Sequence, residues 1–74
     1  MNAQRRKNLQ RAIGLLLEAQ SIIDEAKWEE QEAFDNMPEG LQYSERGETM
    51  ESNIDSMEEF IDNLSDIVEA LEEM

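Results

Sequence analysis

The sequence contains no cysteine and no histidine. Disulfides, Cys/His metal centres and any mechanism needing a thiolate nucleophile or an imidazole base are therefore excluded. One proline and three glycines occur among 74 residues, so long helices can run with few interruptions. Bases are scarce too: 6 against 19 acids, a net charge of -13. That balance disfavours nonspecific binding to nucleic acid or to an anionic lipid surface. No apolar run approaches the ~20 residues of a membrane span, because Glu18, Asp24 and Glu25 interrupt. Arg5, Arg6 and Lys7 precede the apolar stretch Ala12 to Leu17, which is too short for a signal peptide. A cytoplasmic protein without membrane partners is expected. The length allows one small domain, marginal as a monomer unless well packed or oligomeric.

What is present is helical periodicity. A first helix is expected from about 4 to 35. Leu9, Ala12, Leu16, Ala19, Ile23, Ala26, Glu30, Ala33 and Met37 recur at alternating spacings of three and four, a coiled-coil-like seam. Leu15 and Ile22 widen it on one flank and Ile13 on the other, while Leu17 and Trp28 fall together on a different side. The alanines of the seam would let a neighbouring helix approach closely. Gly14 lies within this helix, either as a tolerated surface glycine or as a point of close approach by a partner helix.

A second helix is expected from about 47 to 73, after a linker of about 36 to 46. Met50, Ile54, Met57, Ile61, Leu64, Val68 and Leu71 repeat at four and three without a gap, and Phe60, Ile67 and Met74 form a second stripe of period seven. Two adjacent stripes exceed what one partner helix can cover. In the linker, Pro38 cannot continue a helix and pushes Met37 out of the helical region. Asn36 has capping-box spacing to Glu39 and is a candidate cap for a short turn ending at Gly40; Ser44 is the candidate cap of the second helix. That helix starts at Glu45 or, since Gly47 weakens its first turn, nearer Glu48.

The fold class that follows is all-α: one domain over 1–74, an antiparallel two-helix hairpin that dimerises into a four-helix bundle. Candidate dimer-interface residues are Leu15, Leu17, Ile22, Phe60, Ile67 and Met74.

Charge is segregated along the chain. Residues 1–11 carry Arg5, Arg6, Lys7 and Arg11 and no acid; all 19 acids come later, opposed only by Lys27 and Arg46. Glu48, Glu51, Asp55, Glu58, Asp62, Asp66, Glu69 and Glu73 are spaced three or four apart, which makes a carboxylate ridge on one helix. Like charges at i and i+4 repel, and helix stability alone favours mixed signs. The ridge either solubilises the molecule, receives the basic segment of a second subunit, or docks on a basic surface of another protein by imitating a phosphate backbone. The basic segment in turn either solvates a frayed helix start, docks on acids, or binds nucleic acid against the repulsion of the overall charge.

Catalytic and cofactor signatures are lacking. There is no EF-hand spacing, phosphate-binding loop or dinucleotide fingerprint, and carboxylate-bridged metal bundles use histidine ligands. Glu30 alone stands on an apolar seam; it is a buried ligand, an interfacial salt-bridge partner, or a residue at the end of the core beside water. No enzymatic activity and no cofactor are expected.

The block Ala33-Phe34-Asp35-Asn36-Met37-Pro38-Glu39-Gly40-Leu41-Gln42-Tyr43-Ser44-Glu45-Arg46-Gly47-Glu48 resembles one found in small acidic helical proteins encoded by phages and mobile elements of Gram-positive bacteria. The resemblance extends over about residues 30–71 and implies a phage-type inhibitor or adaptor acting in the host cytoplasm. It assigns no functional residue. Within the block, Phe34, Leu41 and Tyr43 are positioned to close the open end of the hairpin, and Arg46 to pair with Asp35 or Glu39. Alternatively Trp28, Tyr43 and Arg46 form a binding hot spot. The function expected is a protein–protein interaction module engaging a basic, nucleic-acid-binding surface through the ridge. The rivals are a structural assembly protein using the Phe60, Ile67 and Met74 stripe, and a DNA-binding accessory acting through Arg5, Arg6, Lys7 and Arg11.

Overall fold

A computed structural model describes all of residues 1–74. Helix α1 spans Ala3–Asp35, a short α2 spans Glu39–Gln42, and α3 spans Glu45–Glu72. At 1.5 Å per residue the long helices measure about 50 and about 42 Å. They lie side by side and antiparallel: Gln20, in the middle of α1, reaches Ile61 and Ser65 in the middle of α3, and Arg6 and Leu9 share a groove with Leu71 and Glu72. The result is a slab of 58 × 15 × 13 Å.

Helix ends follow their capping chemistry. The Asn2 side chain accepts from the Arg5 amide at 2.9 Å and starts α1. Asn36 ends it, its N–H donating to the Glu32 carbonyl at 3.0 Å while the Met37 N–H donates to the Phe34 carbonyl at 3.1 Å. Asn36 therefore closes α1 rather than opening the next turn; that turn starts from Pro38, whose extended backbone (ψ 142°) reverses the chain. Ser44 caps α3 as expected, accepting from the Gly47 amide at 3.3 Å.

α3 begins at Glu45, two to three residues earlier than the glycine suggested. Gly47 is buried, and the reason is steric. A Cβ there would lie 2.6 Å from the carbonyl carbon of Gln42 and 2.8 Å from its Cα. The main chain of α2 rests directly on α3, and only glycine leaves room. Gly14 is the opposite case: it is exposed, and a Cβ would meet nothing within 4 Å. No helix of the hairpin approaches it.

The α3 seam holds throughout. Met50, Ile54 and Val68 are buried and Met57, Ile61, Leu64 and Leu71 half-buried. The α1 seam is broader than the expected one and loses its last two alanines. Leu9, Ala12, Leu16, Ala19, Ile23, Glu30 and Met37 keep their places and Ala26 and Ala33 are exposed, while Ile13, Gln20, Lys27 and Phe34 also turn inward. An alanine stripe offers little area to bury. Turning toward Ile13 and Phe34 removes more apolar surface from water, at the cost of bringing Gln20 and Lys27 to the contact.

Both polar intruders are satisfied. The Gln20 amide donates to the Ile61 carbonyl at 2.9 Å and to the Ser65 hydroxyl at 2.6 Å. Lys27, whose side chain is 16% exposed, pairs with Asp24 at 3.5 Å, and its ammonium stands 5.0 Å from the centre of the Trp28 ring.

Candidate interaction surfaces

The sequence-derived site residues fall on two opposite faces of the slab. At 100° per residue, every acid of α3 from Glu48 onward lies within an arc of about 140°. The remaining side of the helix carries Asn53, Ser56, Phe60, Asn63 and Ile67 and no acid between Glu48 and Glu72. Because α1 and α3 are antiparallel, each face of the slab combines one flank of each helix. One groove shows which flanks go together: Ala26, Glu29 and Glu30 of α1 line it with Asn53, Ser56, Met57 and Phe60 of α3. Phe60 and Ile67 therefore share a face with Leu15 and Ile22. Leu17 and Trp28 belong to the other face, with the acids.

This divides the expected dimer set. Leu15, Ile22, Phe60 and Ile67 form one exposed apolar patch; Leu17 is separated from them, and Met74 lies past α3 in the groove of Arg6, Leu9, Gln10 and Ile13, on the other side. It also divides the expected hot spot. Trp28 is 60% exposed on the acidic face. Arg46, exposed, is in heptad line with Asn53 and Phe60 on the far side. Tyr43, 78% exposed, follows α2 in the turn.

Tyr43 and Leu41 do not close the core; both are exposed. The turn is closed by Gln42, whose side-chain amide donates to the Phe34 and Met37 carbonyls at 3.1 and 3.3 Å. With Gln42 directed inward, its neighbours point out. Arg46 makes no ion pair with Asp35 or Glu39, since Lys27–Asp24 is the single ion pair of the chain. A surface bridge across this turn would gain little against the entropy of fixing two side chains.

All eight ridge residues, Glu48, Glu51, Asp55, Glu58, Asp62, Asp66, Glu69 and Glu73, are exposed and have no cation within ion-pair distance. Glu30 is half-buried beside an open groove and likewise unpaired. No group of three or more acidic side chains is placed to hold a metal ion.

Charge opposes the helix dipoles at one end of the slab. α1 has no acid in its first turn and α3 no base in its last; instead Arg5 and Arg6 begin one and Glu69 and Glu72 end the other. Each arrangement is unfavourable for its own helix. The antiparallel fold sets the two ends together, with Arg6 and Glu72 on one groove. Attraction between them favours the hairpin over an extended chain. Sequence inspection missed Gln20, Gly47 and the Asn2 cap; an Asn before the first helical residue was the readable signal for the last.

No family model, curated protein or solved structure matches the chain. No helix is long and apolar enough to cross a membrane.

Proposed function

We propose that this chain is a small protein–protein interaction module that docks the carboxylate ridge of α3 onto a basic protein surface, of the kind that otherwise holds nucleic acid. One observation carries the reading: the ten acids from Glu48 to Glu73 are confined to one side of a helix, exposed and without counter-charge inside the chain. Solubility alone is served by acids spread around a helix or mixed with lysines. Confinement to one side concentrates the field in one direction, as charge steering requires. Exposed Trp28 and Leu17 beside the ridge add apolar contact area within an electrostatic footprint.

The test uses the immobilised full chain to capture proteins from bacterial lysate at low and high salt. Captured proteins should be released by salt and by duplex DNA, and the Asp62→Asn/Asp66→Asn variant should retain fewer of them. Capture indifferent to both salt and ridge neutralisation would refute the ridge as the docking surface. The rival DNA-binding reading predicts a mobility shift of duplex DNA at low salt that depends on Arg5, Arg6, Lys7 and Arg11.

A further inference from the structure

The face opposite the ridge carries a second surface, and its layout repeats under a half-turn. The bonds from Gln20 to Ile61 and Ser65 set the register of the hairpin. In that register Leu15 is level with Ile67, and Ile22 with Phe60. All four are exposed, Ile22 at 61%. The midpoint of the α1 pair and the midpoint of the α3 pair fall at the same height, beside Ala19 and Leu64.

A charged row borders the apolar pair on α1. Lys7 and Arg11 stand toward one end and Glu25 and Glu29 toward the other, each spaced to adjoin the stripe. Lys7 and Glu29, and Arg11 and Glu25, are equidistant from Glu18, which lies in the middle of the row. The charges are thus arranged about the same height as the apolar residues, with opposite signs on opposite sides. A surface of that kind is complementary to itself when turned over.

The geometry points to a second copy of this chain as the occupant, packed face to face about a twofold axis that crosses both helices near Ala19 and Leu64. Each helix then lies antiparallel on its own copy. Leu15 meets Ile22 of the second copy, Phe60 meets Ile67 of the second copy, and Lys7 and Arg11 run beside Glu29 and Glu25 of the second copy. The alternative axis, along the helices, would lay α1 on α3 of the second copy and lose these charge matches.

Two further quantities agree. The chain exposes 5699 Å², where a compact protein of its mass would expose about 4,700 Å²; the excess resembles the ~800 Å² per partner of a standard interface. And two chains of net charge -13 can approach closely only where acids are few, which on α3 is this flank alone. The inference does not depend on the ridge being used, because it concerns the other face.

Sedimentation equilibrium of the full chain at ~100 µM and ~150 mM salt should give twice the monomer mass of 8.6 kDa. Ile22→Asp should give the monomer mass with the helical circular dichroism signal retained, while Trp28→Ser, on the opposite face, should stay dimeric. Arg11→Glu should weaken the dimer by roughly tenfold, and Arg11→Glu combined with Glu25→Arg should restore it to within about threefold, as coupled neighbours do. A wild-type mass of 8.6 kDa, or a dimer broken by Trp28→Ser and not by Ile22→Asp, would overturn the assignment of this face. Failure of the charge swap to rescue would overturn the antiparallel packing. The Asp62→Asn/Asp66→Asn variant should remain dimeric, so failure of the ridge reading and failure of this one give different results.

Discussion

Gly47 lies against the main chain of Gln42 so closely that a single added methyl group would penetrate the backbone. Gly47→Ala must push α2 away from α3, or unwind the first turn of α3. We expect a loss of about 1–3 kcal/mol, the range for overpacking at a site that cannot relax. Gly14→Ala should move the other way and gain about 0.5–1 kcal/mol, since nothing surrounds that position. Urea unfolding followed by far-ultraviolet circular dichroism, at one protein concentration, checks both signs.

Gln20 is the only side chain that hydrogen-bonds from α1 to α3. Gln20→Ala removes two donor contacts and some packing, and should cost on the order of 1–2 kcal/mol. Gln20→Leu should cost less, because an apolar side chain suits the seam between Leu16 and Ile23. It should also relax the register, which an inter-helix spin-label distance distribution would report as broadening.

Ser44 both caps α3, through the Gly47 amide, and donates to the Leu41 carbonyl. Ser44→Ala should cost about 1 kcal/mol. Asn2→Ala removes a comparable cap from the outer end of α1, where only local fraying is at stake. Its effect on the global melting temperature should be much smaller, while hydrogen exchange at Arg5 should accelerate.

The ridge is a strain on its own helix. Asp62→Lys converts repulsion from Glu58 and Asp66, both four residues away, into attraction at ~0.2–0.5 kcal/mol per pair. The variant should melt higher than the wild type and bind a basic partner less well. For the same reason added salt should raise the melting temperature of the wild-type chain by screening. A fall on adding salt would show that attraction between unlike charges outweighs the ridge.

How much of this was readable beforehand depends on what each residue competes with. The α3 seam was legible because Ile54, Ile61 and Val68 leave one choice of buried side. The α1 seam was not, since both flanks of Leu16 and Ile23 are plausible. Ala12 and Ala19 continue an apolar pattern on one flank, whereas Gln20 and Lys27 break it on the other. The hairpin keeps Ala12 and Ala19 half-buried and turns the polar flank inward as well, because Ile13 and Phe34 bury apolar area there and because Ile61 and Ser65 supply acceptors for Gln20. That pairing is a property of two distant segments, invisible in either one. Gly47 misled for a related reason: glycine weakens a helix locally, and the close passage of Gln42 that demands it exists only once the chain has turned. Of the interaction surfaces, the ridge was visible from spacing alone. The separation of Leu17 from Leu15 and Ile22 needed the antiparallel arrangement.

The acids and the apolar stripe occupy opposite flanks of one helix, so covering either leaves the other free. A pair of chains joined through Phe60 and Ile67 would display two ridges facing away from each other. Such an assembly is bivalent: it can bridge two copies of a basic target, or hold a two-fold symmetric one at both sites, with an avidity that neither ridge has alone.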